Sequence, residues 1–122
     1  MSLITDRTWE DVQERNGKGY YTTRDLDRVE KTVQTICDQL RLLGTDLQLA
    51  IKTDWELEYD VPVRETMKRY LDNVRQIVQQ LDLHAELPVS MEHLDWQGAN
   101  QIELALQQAQ EKLEKMLQGR QV

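Results

Sequence analysis

The sequence predicts an all-α fold: a three-helix bundle with a short N-terminal helix and a long extended connection between the first and second long helices. Three apolar patterns lead there. Leu26, Val29, Val33, Ile36, Leu40 and Leu43 recur at 3-4-3-4-3 spacing, an a/d seam that one face of a helix presents. Ala99, Ile102, Leu106, Ala109, Leu113 and Met116 repeat that spacing near the C-terminus. Between them, Met67, Tyr70, Leu71, Val74, Ile77, Val78 and Leu81 make a wider stripe, as expected of a helix that touches two neighbours.

The elements follow in order. Thr8 can cap a short helix over 9–15 that stops before Asn16-Gly17, and Gly17-Lys18-Gly19 forms a turn leading to Tyr20-Tyr21. The first long helix spans 24–43, with Thr23 as its cap, Asp25 and Asp27 in the favourable first turn and Gly44 as its stop. In 45–61, Leu47, Leu49 and Ile51 alternate with polar or small residues. One strand would have no partner here, so an extended connection pinned to the bundle by Trp55 is the better reading. The middle helix covers about 63–80, with Pro62 suited to a first turn because its missing N–H would be unpaired there anyway. The last helix covers 96–118, with Asp95 as N-cap and Gly119 near its end; its alanines permit close approach, and Leu117 broadens the seam. No repeat, low-complexity tract or linker is evident, so residues 1–122 read as a single domain. Met1-Ser2-Leu3 reads as an expression-vector remnant outside the fold.

The stretch Lys52-Thr53-Asp54-Trp55, then Pro62, then Met67-Lys68-Arg69-Tyr70-Leu71-Asp72-Asn73-Val74-Arg75 resembles a family of small structural proteins of tailed phages and prophages of Gram-positive bacteria. The likeness extends to Gly19-Tyr20-Tyr21, Asp25-Leu26-Asp27-Arg28-Val29-Glu30, Pro88-x-Ser90-Met91 with Leu94, and Ala99-Asn100-x-Ile102-Glu103. It covers most of residues 9–106; Val63 departs from the Ser or Thr that the family places after the Pro. The resemblance implies a virion or host-cytoplasm setting and a tail or baseplate role, and carries no assigned chemistry.

Composition bounds the function independently. Charged residues make up 30% and hydrophobic ones 39%, which suits a thin core under a solvated surface. The net charge of −7 is concentrated in residues 44–61 and 82–95, each at −4, while 62–81 carries +2. Acidic connectors repel phosphate, so no nucleic-acid partner is expected. No segment reaches the roughly 20 apolar residues of a membrane span, so no membrane role is expected either. Cys37 alone excludes an internal disulfide and any multi-cysteine zinc site, and without a nearby His or basic cluster it reads as a structural thiol.

Catalytic patterns are weak. His84 and His93 are nine residues apart in an acidic loop, without the tight spacing and third ligand of a zinc site. Asp54, Glu56, Glu58 and Asp60 alternate as in a calcium loop, but Tyr59 stands where that loop needs Gly, and Pro62 intrudes. Gly17-Lys18-Gly19 lacks the strand and spacing of a phosphate loop. The expectation is therefore a non-enzymatic protein with no catalytic, metal or cofactor-binding residue, no cofactor, no small-molecule substrate, and little room for a ligand cavity of ~300 Å3. Trp, Tyr and Arg are the types enriched at interface hot spots, which makes Trp55, Tyr59, Arg69, Tyr70 and Arg75 the partner-binding candidates. Within one chain these residues would more often pin the long connection to its own bundle, with Arg stacked on an aromatic ring. The expected function is structural or assembly work in a phage particle, with other phage proteins or a second copy as partner. The alternative is a small cytoplasmic regulatory or adaptor protein that recognises a partner helix.

Overall fold

Side-chain caps set where the helices begin. The computed structural model describes residues 3–15, 21–55 and 64–120; within them lie four helices and no strand. Helix α1 (Trp9–Gln13) starts in a reciprocal box: Asp11 N–H donates to Thr8 Oγ1 at 3.3 Å, and Thr8 N–H donates to Asp11 Oδ2 at 3.0 Å. Helix α2 (Thr23–Leu42) is capped by Thr22, not by Thr23 as the sequence predicts. A box anchored on Thr23 would need its acid at position 26, which is Leu26; one anchored on Thr22 finds Asp25, whose Oδ2 accepts Thr22 N–H at 2.7 Å. Helix α4 (Trp96–Arg120) starts where Asp95 Oδ1 accepts Gly98 N–H at 2.8 Å. Helix α3 (Arg64–Gln80) is described from Arg64 onward; Pro62 and Val63, assigned to its first turn, lie outside the described residues, as do Gly17-Lys18-Gly19 and Tyr20.

Two helices end in the same way. Past α2, Gly44 takes φ +88° and donates to Arg41 O, while Thr45 N–H reaches Leu40 O at 2.9 Å. Past α3, Asp82 takes the corresponding left-handed position at φ 51°, and Leu83 N–H reaches Val78 O at 3.0 Å. Both are Schellman closures, one built on the residue type that favours it and one on an aspartate.

Both seams and the middle stripe face one core. Val29, Ile36, Val74, Ile77, Ile102, Leu106 and Leu113 are completely buried, and Val33 is 2% exposed. Ala99, Ala105 and Ala109 let the neighbouring helices approach α4 closely. Ala105, which the 3-4 seam omits, is among them. Met116 does not join: it is 42% exposed, whereas Leu117 is half-buried. A straight helix advances 100° per residue, so position 117 returns to the face of Ala99 while position 116 falls well off it. Leu3, assigned to a vector remnant, also packs against the core.

The three long helices run in one direction, which a short-looped bundle cannot do. Near their starts, Arg28 of α2 bonds Glu103 of α4; near their ends, Gln39 lines the same groove as Glu114 and Leu117. Early in α3, Arg69 bonds Glu30 of α2, and Leu81, just past the end of α3, accepts a hydrogen bond from Lys112 of α4. Each connection must therefore travel the length of the bundle. A 20-residue helix is about 30 Å long, a span that roughly nine extended residues cover. Residues 45–55 make that return extended, as expected, with Thr45, Leu47, Leu49 and Ile51 half-buried and the residues between them exposed. Residues 82–95, which sequence reading treats as an acidic loop, contain a second such return: Leu83, Ala85 and Leu87 turn inward between exposed Asp82, His84 and Glu86. So a repeat does exist, at the level of period-two segments joining parallel helices. The second return ends tightly against α4, where a Cβ on Gly98 would lie 2.8 Å from Leu94 Cδ1 and 3.4 Å from Pro88 Cβ.

Val33→Asp or Leu106→Asp should abolish cooperative unfolding, because each buries a carboxylate with no partner in a domain whose total stability is of the order of 5–15 kcal/mol. Circular dichroism melts check this; retained cooperative unfolding in either variant would refute the bundle. Asp82→Gly should raise stability by about 0.5–1 kcal/mol in urea titration, since it relieves a left-handed aspartate and removes a negative charge from a helix C-terminus.

Candidate interaction surface

Position 30 follows Val29 on α2, so the core-facing turn of that helix draws a carboxylate inward with it. Glu30 is 1% exposed and, among the described residues, accepts four hydrogen bonds. Its Oε1 takes Lys52 N–H at 3.0 Å and Arg69 Nη1 at 2.6 Å; its Oε2 takes Trp55 Nε1 and Arg69 Nη2, the latter at 3.2 Å. Arg69 Nη1 and Asn73 Nδ2 also donate to the carbonyl of Ala50, at 2.6 and 2.7 Å. One carboxylate thus ties α2, α3 and the first return segment together.

A second centre lies near the starts of α2 and α4. Glu103 follows Ile102 as Glu30 follows Val29, and it is fully buried. It accepts Arg28 Nε at 2.6 Å, Arg28 Nη2 at 2.8 Å, Arg7 Nη2 at 2.5 Å and the Ile4 N–H at 3.0 Å. Asp25 Oδ1 takes a bond from each arginine, at 3.2 and 2.5 Å. Two guanidiniums and two carboxylates balance, which is the condition for burying them. Burial opposes the Arg28 cation, but its bonds to Glu103 and Asp25 outweigh that and raise its pKa. Asn100 completes the centre by exchanging bonds with the Arg7 backbone, at 3.0 Å in both directions.

The sequence-selected candidates are mostly committed inside the chain. Trp55 is partly buried, packs against the core and donates to Glu30; the cation over its ring is Lys52, at 5.1 Å, not an arginine. Arg69 is held by Glu30. Tyr70 is 1% exposed and shares a hydrogen bond with Tyr21, so it cannot meet a partner from the folded chain. Arg75 donates to Asp72 at 2.9 Å and to the carbonyls of Pro88 and Val89 at 3.2 and 2.6 Å, pinning the second return. Tyr59 lies outside the described residues. Burial raises the pKa of the Tyr70 hydroxyl well above the tyrosine range, aided by Tyr21 and the nearby carboxylates, and it raises that of Tyr21 as well.

Two of the open surfaces lie near the starts of α3 and α4. A groove of about 560 Å3 runs between Arg64, Met67 and Lys68 on α3 and Val89–Glu92 on the return. It exceeds the room the sequence reading allows, because the extended returns leave furrows where paired helices would close. A smaller recess of about 350 Å3 lies between α1 and the start of α4, walled by Trp9, Val12, Tyr21, Leu94 and Trp96. Val89 is 91% exposed and Trp9 55%. Among the described residues no group of three or more His, Cys, Asp and Glu side chains is placed to hold a metal ion. His84 and His93 are exposed, and Cys37 is buried, with burial raising the pKa of its thiol. Asp54 is exposed and paired with Lys52, and that bond lowers its pKa, while Glu56, Glu58 and Asp60 lie outside the described residues. No described helix is long and apolar enough to cross a membrane. Comparison with protein-family models, curated proteins and solved structures finds no match.

Glu30 and Glu103 are not among the candidates selected from the sequence. The available signal was positional: each immediately follows the second residue of a seam, close enough to the apolar stripe to be drawn in.

Glu30→Ala should cost about 3–5 kcal/mol in chemical denaturation, as loss of one partner of a buried ion pair does, and should red-shift tryptophan emission as Trp55 loosens. Trp55→Phe keeps a ring but drops one bond to a charged acceptor, at about 1.5–3 kcal/mol. The tyrosine pair should make stability fall as pH rises from about 10, where an unfolded tyrosine ionises while the folded hydroxyls stay protonated. Tyr70→Phe should flatten that alkaline slope in melts at pH 9–11, and an unchanged slope would contradict the assignment.

Proposed function

We propose that the chain is a non-enzymatic structural or assembly protein of a tailed phage or prophage, associated with the tail, and that its partners are other phage structural proteins or further copies of itself. The observation that carries this reading is the use made of the motif residues. Asp25, Arg28, Glu30, Trp55, Arg69, Asn73, Arg75, Asn100 and Glu103, which bear the resemblance, are spent on holding helices and return segments in fixed positions. A scaffold so tied together supports a part that is built into something. The adaptor alternative has less support, because the seams that would recognise a partner helix are already buried against one another. Contacts through open helix seams are unavailable for the same reason, which leaves the furrows beside α3 and α4 as the working surface.

Mass spectrometry of purified particles from an induced host tests the proposal. The protein is expected in the particle, at a copy number fixed relative to tail proteins. Its absence from particles, together with recovery in a soluble complex with a non-structural protein, would overturn the reading in favour of the adaptor.

A further inference from the structure

The first return, residues 45–55, is held at its two ends. At one end, past the Gly44 turn, Thr45 N–H reaches Leu40 O at 2.9 Å. At the other, Lys52 N–H and the Trp55 indole donate to Glu30, and Arg69, itself held by Glu30, donates to the Ala50 carbonyl at 2.6 Å. Asn73 adds a second donor to that carbonyl at 2.7 Å. Between the ends, the main-chain groups of Asp46, Leu47, Gln48 and Leu49 make no hydrogen bond among the described residues. There the segment rests on side chains alone, with Leu47, Leu49 and Ile51 half-buried.

Beneath it lies one stripe of α2. Glu30, Gln34, Cys37 and Arg41 recur at 4-3-4 spacing, and Gln34, Cys37 and Arg41 line a single cavity together with Leu47, Leu49 and Ile51. Cys37 is 3% exposed, and the return is part of what covers it. The long helices hold one another by contacts that do not pass through this segment. Arg28 of α2 bonds Glu103 of α4, and Lys112 of α4 donates to the Leu81 carbonyl at the end of α3. Ile102, Ala105, Leu106, Ala109 and Leu113 place α4 in the centre of the core, each at most 1% exposed.

We propose that the first return is a latched strap, which lifts off the α2–α3 groove as a unit while the three long helices stay packed, with Glu30 as its catch. Segments that open locally in this way combine few fully buried apolar contacts with unpaired backbone, and the middle of this return has both. The catch is concentrated: the bonds at the Trp55 end converge on one carboxylate, so the loss of any one donor weakens the whole hold. Opening frees the Trp55 indole, which the closed chain spends on Glu30, and uncovers Cys37. The strap goes beyond the assembly reading above, and neither depends on the other.

Cys37 is the one cysteine of the chain, so thiol labelling of the full-length protein reads the opening directly. The labelling rate with DTNB, kept proportional to reagent concentration, is followed against urea below the unfolding transition. Wild-type protein is expected to label faster than global unfolding allows, at a rate nearly independent of urea, because lifting one segment exposes little surface; exposure by global unfolding carries the full denaturant slope. Trp55→Phe keeps a ring but takes one donor from the catch, and should raise the urea-independent rate roughly 10- to 100-fold. Asn100→Ala, at the Glu103 centre, should leave that rate unchanged. Labelling that follows global unfolding from zero urea overturns the strap. So does a urea-independent rate that Trp55→Phe fails to raise, which would mark fraying of α2, or one that Asn100→Ala raises equally, which would mark general loosening.

Discussion

A single buried carboxylate, Glu30, sets the terms for the rest of the molecule. An isolated carboxylate taken out of water costs several kcal/mol, and only an arrangement that returns all its hydrogen bonds is stable. Here the donors come from three places: the Arg69 guanidinium on α3, the Trp55 indole and the Lys52 backbone amide. No register shift of α3 along α2, and no slippage of the first return segment, keeps all of them. Apolar seams make the helices associate; this acid decides which alignment they adopt. Glu103 imposes the same discipline on α2, α4 and the N-terminal segment through Arg28, Arg7 and the Ile4 amide. The two centres sit at equivalent places beside their seams, so the bundle is registered twice by one device.

This explains why the most recognisable stretch of the sequence is a poor guide to its surface. Trp, Tyr and Arg signal interfaces because they combine large area with polar ends. The same properties suit them to an extended connection that must lie on a bundle without a sheet to satisfy its backbone. Trp55 supplies area and a donor, Arg69 and Asn73 supply donors for the stranded carbonyl of Ala50, and Arg75 does so for Pro88 and Val89. Long return segments have many orphaned backbone groups, and long polar side chains on α3 satisfy them.

Helix positions were legible because apolar periodicity and caps are local. The seams through Val33 and Leu106, the Asp95 cap, the Thr8 cap and the Gly44 stop all follow from residues a few places apart. The Thr22 cap was missed by one position because the choice between adjacent threonines depends on which one finds an acid three residues on. Helix direction was not legible, since a heptad pattern reads the same in parallel and antiparallel packing. The second return was hidden for a related reason: its charge spoke louder than its alternation, and Leu83, Ala85 and Leu87 make a weak pattern beside four acids. Of the candidate site, Trp55, Arg69 and Arg75 stand out in the sequence, but what each one binds is long-range information. Glu30 meets Arg69 across 39 positions and Glu103 meets Arg7 across 96.

Parallel helices joined by extended returns have a consequence for how the chain reaches its fold. In an up-and-down bundle, neighbouring helices zip from their shared turn, loop closure is short, and folding takes microseconds to milliseconds, at roughly the upper end of observed rates. No such zipper exists here, because the end of α2 and the start of α3 lie at opposite ends of the bundle. Each helix meets its neighbour only after the intervening segment has been laid back along it, so loop entropy is lost before contacts repay it. The N-terminal segment makes its contacts with Asn100 and Glu103, 93 and 96 positions further along the chain. Until Glu103 of α4 is in place, Arg7 and Arg28 lack the carboxylate that neutralises them. This small all-helical protein is thus placed, by topology alone, among the slow, non-local folders more often found among β-proteins.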